Sequence, residues 1–419
     1  MTQTRATQII QTISAWNASL PPEVRQQKYA KMAVSPFAFY RGTNHLYWQA
    51  FAGEARLARF GGVSTWLQGD LHAENFGAFT NDEGRVVYSV NDFDEAFFGD
   101  YQYDVWRMAI SLGLGENVRE KEQARVVATF AENYLETLGL WRAHEKLETE
   151  FSKKNTRGKL KKFLKEVEKE NSRAKLLEKW TIPGGGRFDL TNDELDPVPD
   201  PRRDEILAAL PGYLLTLSGA GNTFSVDHLH VKDLAVRLNA GTGSFGTPRY
   251  YLLVEGKSGL PQDDVILDVK RQTKPSAYAF LPAAERGLYD RLFVHDAHRA
   301  VIAYRAMTHN TDDYLGWMRL SDGSYLVRER TFVKEAFPLD ALKDEEDFRE
   351  MAGQWGGILA SVHAQAARLP GARREVAFAQ RVVDTVGKNR KAFVRLVEEL
   401  GGYAWQVRTD WAAFERFIR

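Results

Sequence analysis

The sequence predicts an α+β protein built as two lobes, and three observations lead to that prediction. The chain has 419 residues, 44% of them apolar, which suffices for a large core that divides more readily into two lobes than one. Strand patterns surround a glycine-rich segment between residues 231 and 270. Amphipathic helical patterns lie near both ends of the chain, at 2–16 and 348–367.

The first element is the helical pattern from Thr2 to Trp16, in which Ile9, Ile13 and Trp16 share one face. This segment lacks the basic start and continuous apolar run of a secretory signal. No apolar run in the chain approaches the roughly 20 residues that a membrane-spanning helix needs. The chain contains no cysteine, which excludes disulfides and thiolate chemistry. We therefore expect a cytoplasmic protein without a membrane partner.

The charges balance, with 56 basic and 56 acidic residues. A net charge of zero gives no overall attraction to nucleic acid, so we do not expect it as a partner. The most basic segment is 151–180, where Leu160, Leu164 and Val167 fall at helical spacing. This spacing predicts a solvated amphipathic helix. The alternative is a helical cap over a substrate pocket, whose lysines would attract an anionic compound.

The segment from Gly69 to Asn75 and the aspartate that follows it carry the chemistry. Asp70 is followed five residues later by Asn75, which puts a proton acceptor and a neutral oxygen ligand in one tight loop. A turn at 81–84 and a strand at 85–90 then lead to Asp92, a further hard oxygen for magnesium. The spacing therefore predicts a site that transfers a group from ATP with the help of Mg²⁺.

Two other interpretations of this segment stay open. One is an acidic surface loop beside an ordinary hairpin. The other is a calcium loop, although Asp92, Asp94 and Glu95 lack the regular donor spacing and the central glycine of such loops.

A glycine-rich loop and a lysine lie far downstream of the catalytic segment. A strand pattern at 231–238 precedes Gly241, Gly243 and Gly246, and two further strand patterns follow, the last ending in Lys270. A dinucleotide-binding fold would open a helix after the glycines, but no helical pattern follows Gly246. The glycines would let the backbone close over phosphates without a side-chain clash.

Taken with the run from Gly99 to Asp104, these motifs resemble the aminoglycoside and choline kinase branch of the kinase-like superfamily. The segments 35–42 and 91–95 are closely similar to a bacterial family described only as domain of unknown function 2252, over most of the chain. The first resemblance implies a two-lobed protein-kinase-like fold. The second brings no substrate with it.

In ordinary kinases the glycine loop and the lysine precede the catalytic loop, so the order here implies a circular permutation. We expect residues 1–230 to form part of the large lobe, with the catalytic and metal loops and a helical insertion. Residues 231–335 would form the small nucleotide-binding β lobe. Residues 336–419 would supply the helices that complete the large lobe.

The roles follow from chemical need. Asp70 would accept or orient the proton of the acceptor hydroxyl, since a carboxylate is charged at neutral pH. Asn75 and Asp92 would hold magnesium against the phosphates. Lys270 would hold the α- and β-phosphates as a point charge.

Two further residues are assigned to the nucleotide or phosphate. The family resemblance adds Arg41, whose guanidinium suits a phosphate or a substrate carboxylate, with a structural ion pair as the alternative. The strand pattern at 325–330 runs into the expected hinge, which places Glu329 at the nucleotide. His72 and Asp104 are expected to brace the catalytic loop, Asp104 as a cap at a helix start.

Three residues depart from the kinase pattern. Gln68 replaces the histidine that usually opens the catalytic loop, which predicts looser packing around Asp70. Asp94 replaces the glycine after Asp92-Phe93 and becomes a candidate metal ligand. The acidic partner of Lys270 is undetermined, because Glu285 lies in a plausible helix but the family resemblance points to the region of His298.

Fewer than ten residues separate Asp94 from the next helix, which leaves no long activation segment on which a peptide would dock. We therefore expect a phosphotransferase that uses ATP and Mg²⁺ and acts on a small hydroxyl or amine compound. Two alternatives remain, transfer of AMP to a protein and a nucleotide-binding pseudokinase that acts as a regulatory scaffold. The sequence leaves the oligomeric state open.

Overall fold

The computed structural model of the chain describes residues 4–81, 83–115, 119–143, 149–217, 229–238, 246–309, 312–367 and 378–419. The strands in these ranges are β1 (Ser64–Leu67), β2 (Phe76–Thr80), β3 (Val86–Val90), β4 (Phe97–Asp100), β5 (Leu195–Pro197), β6 (Val231–Arg237), β7 (Arg249–Val254), β8 (Val265–Gln272), β9 (Gly316–Leu320), β10 (Gly323–Glu329) and β11 (Lys334–Ala336). The helices are α1 (Arg5–Trp16), α2 (Pro22–Ala33), α3 (Pro36–Gly42), α4 (Asn44–Phe51), α5 (Gln102–Gly113), α6 (Glu120–Ala143), α7 (Gly158–Glu170), α8 (Arg173–Trp180), α9 (Asp200–Leu214), α10 (Ala283–Leu292), α11 (Asp296–Met307), α12 (Glu345–Ala366), α13 (Phe378–Val386), α14 (Arg390–Gly401) and α15 (Ala404–Ile418). The chain is therefore an α+β protein, as predicted.

The smaller lobe is a six-stranded antiparallel sheet with the order β5-β6-β7-β8-β10-β9. All residues of β7 are buried, because alternate side chains of a strand point to opposite faces and both faces are covered. On one face, Leu252 packs in a core with Ile206 of α9. On the other face, Tyr251 contacts Trp180 of α8, with ring centroids 5.3 Å apart.

This lobe begins earlier in the chain than the predicted boundary at residue 231. Strand β5 pairs with β6, and the helices α8 and α9 both bury apolar side chains against the sheet. The linker-like composition around 183–201 suggested a break between lobes, but the segment contributes Phe188 and Leu195 to the core on one face of the sheet. The boundary of the smaller lobe is set by burial of apolar residues. The segment 183–201 belongs to this lobe because its apolar side chains are buried against the sheet.

The larger lobe is mostly helical. Helices α6 and α12 pack along each other, and α13 and α14 pack on α6. Every residue of α5 is buried beneath them. Helix α15 packs on α1, α2 and α3, so the C-terminal helices lie with the N-terminal part of the chain in one core.

Two small sheets of the larger lobe position the loops that carry the predicted chemistry. Strand β1 pairs with β4, and β2 pairs with both β3 and β11. The loop that contains Asp70 connects β1 to β2, and the loop that contains Asp92 connects β3 to β4. Because β11 follows the last strands of the smaller lobe, its pairing with β2 joins the two lobes beside these loops.

The basic segment 151–180 forms α7 and α8, and α7 buries Leu160, Leu164 and Val167 as its spacing predicted. Helix α7 packs on α12 and β3. Two cavities lie beside Asp70, as described below, and no described residue of the segment 151–180 lines either of them. The alternative that this segment forms a cap over a substrate pocket is therefore wrong. Among the described residues, no helix is both long and apolar enough to cross a bilayer.

Candidate active site

Two cavities meet at the loops of Asp70 and Asp92. The first, here called the cleft cavity, has a volume of about 350 Å³ and lies between the lobes, where its lining includes Asn91, Thr308, Asp312, Arg328 and Lys334. The second, here called the N-terminal cavity, has a volume of about 180 Å³ and is lined by Trp16, Lys28, His45, Asp70, Glu95 and Gln272 together with their neighbours. Five residues line both cavities: Arg41, Asn75, Asp92, Asp94 and Lys270.

The backbone of the catalytic loop is held by one buried carboxylate. Asp104 of α5 accepts hydrogen bonds from the backbone N–H groups of Gln68, at 2.7 Å, and Gly69, at 3.0 Å. His363 of α12 lies 3.3 Å from the same carboxylate. Asp104 therefore braces the loop, but it does so from the first turn of α5 and does not cap that helix, as the sequence had suggested.

Gln68 connects the two functional loops. Its side-chain oxygen accepts a hydrogen bond from the Asp70 N–H at 2.8 Å, and its nitrogen donates to the Asp92 carbonyl at 2.5 Å. The side chain is fully buried. The expectation that glutamine at this position loosens the loop is therefore wrong, because the amide has both a donor and an acceptor and so satisfies both loops at once.

Asp70 lies in the wall of the N-terminal cavity and pairs with a buried arginine. Arg107 of α5 donates to its carboxylate and is itself fully buried, with its guanidinium 4.2 Å from the ring centroid of Tyr40. Burial raises the pKa of Asp70 to about 6, although Arg107 and Arg41 act in the opposite direction. Asp70 can thus exchange a proton near neutral pH, which a general base requires.

Asn75 and Asp92 face both cavities from neighbouring loops. The Asn75 side-chain nitrogen donates to the Asp70 carbonyl at 3.0 Å, which fixes the amide across the loop. Asp92 is the only described non-glycine residue with a left-handed backbone, at φ 61°. Such a backbone costs roughly 1 kcal/mol and is concentrated at functional sites. Within the described parts of the chain, no side chain or backbone group donates a hydrogen bond to the Asp92 carboxylate.

The carboxylate partner of Lys270, left undetermined by the sequence, is Asp94. Lys270 donates to one oxygen of Asp94, and Gln272 donates to the other at 2.9 Å. The amine holds the pKa of Asp94 well below its usual range. Both carboxylate oxygens of Asp94 therefore already accept hydrogen bonds, whereas those of Asp92 accept none from the described residues. Asp92 is thus the better candidate of the two for a magnesium ligand. Glu285 lines a different cavity, beside Asp100, and does not serve as the partner.

Arg299 of α11 is next in sequence to His298, the region to which the family resemblance pointed for the acidic partner of Lys270. Its buried guanidinium donates to the backbone carbonyls of Asp94, at 2.7 Å, and Thr273, at 3.1 Å. It also donates to the Ala96 carbonyl. One side chain thereby fixes the loop after Asp92 to the end of strand β8.

The remaining predicted residues lie at the edges of the site. Arg41 forms an ion pair with Glu74, and both residues line the cleft cavity. Arg41 therefore has the structural partner that the sequence left as the alternative, and it also faces the cavity. Glu329 pairs with Arg173 at 2.8 Å and does not line the cleft cavity. His72 is buried and its ring packs edge-on against Phe37.

The described part of the glycine-rich loop begins at Gly246, so Gly241 and Gly243 lie outside the described residues. Gly246 has φ +82°, and a Cβ there would lie 2.8 Å from Val24 of α2. The next residue, Thr247, lines the N-terminal cavity. The absence of a side chain at Gly246 therefore allows a close approach to α2, and its predicted place over the phosphates stays a prediction.

Sequence reasoning missed three side chains of the site. Arg107 and Arg299 are buried cations, and each lies within an otherwise apolar helical pattern, which was the available signal. Asp312 lines the cleft cavity and accepts hydrogen bonds from the backbone N–H groups of Glu329 and Tyr314. Burial raises the pKa of Asp312 to about 7. Nothing in the sequence around Asp312 pointed to this role.

Among the described residues, no three His, Asp or Glu side chains cluster as a ready metal site. That finding does not conflict with a magnesium site, since Mg²⁺ in nucleotide sites is commonly bound by one or two protein carboxylates with the phosphates and waters.

Fold and site together define a two-lobed α+β protein in which the loop of Asp92 and the strand that carries Lys270 line a common polar cleft. The chain belongs to the family of uncharacterised proteins conserved in bacteria that is called DUF2252, which matches residues 20–417. No curated protein and no solved structure is significantly similar to it.

Proposed function

We propose that the protein is an ATP- and Mg²⁺-dependent phosphotransferase with a circularly permuted kinase-like fold, and that it acts on a small hydroxyl or amine compound. The observation that carries this proposal is the convergence of Asn75, Asp92 and Lys270, from chain segments almost 200 residues apart, on the same two cavities. Asp70 lies at the N-terminal cavity next to them. These are the groups that phosphoryl transfer requires.

The order of elements in the smaller lobe supports the kinase-like fold. Strands β6 and β7 pair antiparallel, with the glycine-rich segment between them in the sequence, and β8, the third strand counted from β6, carries Lys270. Helices α10 and α11 follow, before the two strands β9 and β10 complete the sheet. A glycine loop, a lysine on the third strand and a helix after that strand are the parts of a kinase nucleotide lobe.

The cleft cavity suits a nucleotide. Its volume of about 350 Å³ falls in the range of small-molecule sites. Lys270, Arg328 and Arg249 lie in its lining, where Lys270 and Arg249 pair with carboxylates of the same cavity and Arg328 forms no ion pair with a described residue. Asp92, whose carboxylate accepts no hydrogen bond from the described residues, and Asn75 would hold magnesium. When bound, the ion neutralises charge on the phosphates.

The chain's own residues then act on the acceptor. Asp70 would orient the acceptor hydroxyl and take its proton, with Arg107 keeping the carboxylate in place. Lys270 would hold the phosphates and fix the distance between nucleotide and acceptor. Gln68 and Asp104 would keep the two loops in register, because both act on the backbone and not on the reacting groups.

The test is to incubate the protein with MgATP labelled at either the α- or the γ-phosphate, together with a pool of small metabolites. The proposal expects the γ-label to move to a small compound. Movement of the α-label to a protein would replace it with AMP transfer. Transfer of neither label, with clear stabilisation of the protein by ATP, would favour the pseudokinase scaffold.

A further inference from the structure

The N-terminal cavity has the character of a binding site for a small polar compound. Each of the first four helices contributes to its lining, with Trp16, Lys28, Arg41 and His45 among the residues that line it. On its other side lie Gln272 and Ser276, after strand β8. Asp70 is in its wall. A compound in this cavity would therefore lie against the proposed base, with the cleft cavity beyond.

Several buried polar atoms of this lining have no hydrogen-bond partner among the described residues. They are the side-chain oxygens of Asn44 and Gln272 and one ring nitrogen each of His45 and His72. The four side chains are all more than nine-tenths buried. A buried polar atom without a hydrogen-bond partner destabilises the folded state, so these atoms mark places where a polar ligand is expected.

Two cations of the lining, Lys28 and Arg271, have no acidic partner among the described residues, and Lys28 is the more buried of the two. Lys28 is 6% exposed, and within the described chain no Asp or Glu forms an ion pair with it. Of the four carboxylates in the lining, Asp92 is assigned to magnesium and the other three are engaged with other residues, although Glu95 also attracts Lys28 without forming an ion pair. Asp70 pairs with Arg107, and Asp94 pairs with Lys270. Glu95 accepts hydrogen bonds from the Ser276 N–H at 2.6 Å and from Asn44 at 3.1 Å.

The histidines of the lining are neutral and so suit hydroxyl groups. Burial lowers the pKa of His45 to about 3, and it holds the pKa of His72 well below the usual value. A neutral imidazole offers one donor and one acceptor, which match a hydroxyl. Trp16 stacks flat on His45, with ring centroids 4.7 Å apart, and fixes that ring at the cavity.

We propose that the N-terminal cavity is the acceptor site and that its ligand is a small hydroxyl compound carrying an anionic group, which Lys28 binds. This inference rests on the proposed function only in calling the compound the acceptor. The volume of about 180 Å³ limits the ligand to a compact molecule. A buried cation without a partner favours a carboxylate or phosphate, because the pair removes the cost of an isolated buried charge.

The test uses four three-carbon compounds that differ in charge: glycerate, glycerol 3-phosphate, glycerol and the amine serinol. Binding to the full chain is measured by calorimetry. At least one anionic compound should bind about tenfold or more tightly than glycerol and serinol, since hydrogen bonds to charged groups contribute about 1.5–3 kcal/mol. Which anion binds distinguishes carboxylate from phosphate. Equal or tighter binding of glycerol or serinol, or no binding of either anion, would overturn the proposal.

The matched variants are Lys28→Met and, one turn further along the same helix, Lys31→Met. The methionine keeps the length of the buried side chain, so Lys28→Met is expected to fold, which thermal unfolding checks. It should abolish the preference for the anion and leave ATP affinity within about twofold, whereas Lys31→Met should change neither. If Lys28→Met keeps the preference for the anion, or loses much of its ATP affinity, Lys28 is not the residue that binds the anionic group of the acceptor.

The two proposals fail in different ways. Anion binding that depends on Lys28, without transfer of phosphate to any compound, would leave the site standing and reject the phosphotransferase. Transfer to glycerol and glycerate with equal kcat/KM would keep the phosphotransferase and reject the anion site.

Discussion

The charge of Asp70 is set by two opposing influences. Burial favours the neutral acid, and the guanidinium of Arg107 favours the carboxylate. Burial prevails, and the pKa of Asp70 rises to about 6 from an ordinary value near 4. A base with this pKa is deprotonated at neutral pH yet still accepts a proton readily, which is the compromise that general base catalysis needs.

We expect kcat to rise with pH through about 6 and to fall about tenfold for each pH unit below it, because protonated Asp70 cannot act as a base. Removing the favourable cation in Arg107→Gln should raise the pKa of Asp70 and move this limb up by about one pH unit or more. Arg41→Gln should move it in the same direction by less. The measurement is the pH profile of kcat.

Arg5→Gln is the control for that experiment. Arg5, on α1, pairs with Asp410 of α15, and it lines neither of the two cavities. Its profile should coincide with that of the native protein. If Arg107→Gln moves the limb to lower pH, Asp70 is not the group that titrates.

Replacement of the base separates catalysis from binding. Asp70→Asn keeps the size of the side chain but removes the proton acceptor, so kcat should fall about 100-fold or more. The Kd for ATP should stay within a few-fold, since Asp70 does not line the cleft cavity. Asp384→Asn, at an exposed position of α13, is the control. Unchanged turnover in Asp70→Asn would reject the role of this residue.

The catalytic loop depends on one glycine. Gly69 has φ +81°, and a Cβ there would lie 2.1 Å from the carbonyl oxygen of Glu95. Gly84, in the turn between β2 and β3, also has a positive φ, but a Cβ there would meet nothing within 4 Å. The two positions share the cost of a left-handed alanine and differ only in the clash.

Gly69→Ala should therefore lower the free energy of unfolding by about 2 kcal/mol or more beyond the loss in Gly84→Ala, which should be about 1 kcal/mol. Urea denaturation of both variants provides the comparison. Equal urea midpoints for the two variants would show that the loop of Gly69 can move away from the Glu95 carbonyl without a cost in stability.

Local patterns predicted most of the elements. The strands predicted at 231–270 and the helix predicted at 348–367 appear as β6, β7, β8 and α12, because the apolar residues that each element buries are recorded in its own sequence. The position of α8 in the smaller lobe was not predictable in this way. Its Trp180 packs on Tyr251, 71 residues away in the chain, and only the folded sheet brings the two together.

The residues of the candidate site fall into the same two groups, those that local sequence patterns indicate and those that only the folded chain brings together. The sequence singled out Asp70, Asn75, Asp92 and Lys270 because the proposed chemistry fixes residue type and spacing, and the structure brings them to two adjoining cavities. The partner of Lys270 was not found, since the pair with Asp94 joins strand β8 to a loop at no fixed separation in sequence. Asp104 was placed correctly against the loop, but its hydrogen bonds depend on the packing of α5 beneath β1.

At the scale of the whole molecule, the two lobes meet through apolar packing of α10 and α11 on the larger lobe and through polar links at the site. Lys270 and Gln272 of the smaller lobe bind Asp94 of the larger one. Arg299 binds carbonyl groups on both sides, and β11 pairs with β2. A nucleotide in the cleft cavity would contact both lobes and so add to these links.

Binding of MgATP should therefore stabilise the whole chain against heat, and at a free concentration of 100 times Kd the gain is about 2.7 kcal/mol. Lys270→Met removes the proposed phosphate contact and should abolish most of this gain, whereas Lys162→Met, on the exposed side of α7, should retain it. The measurement is the shift in Tm with and without MgATP. The same shift in all three proteins would mean that ATP binds without Lys270, and the nucleotide site would then have to lie outside the cleft that β8 lines.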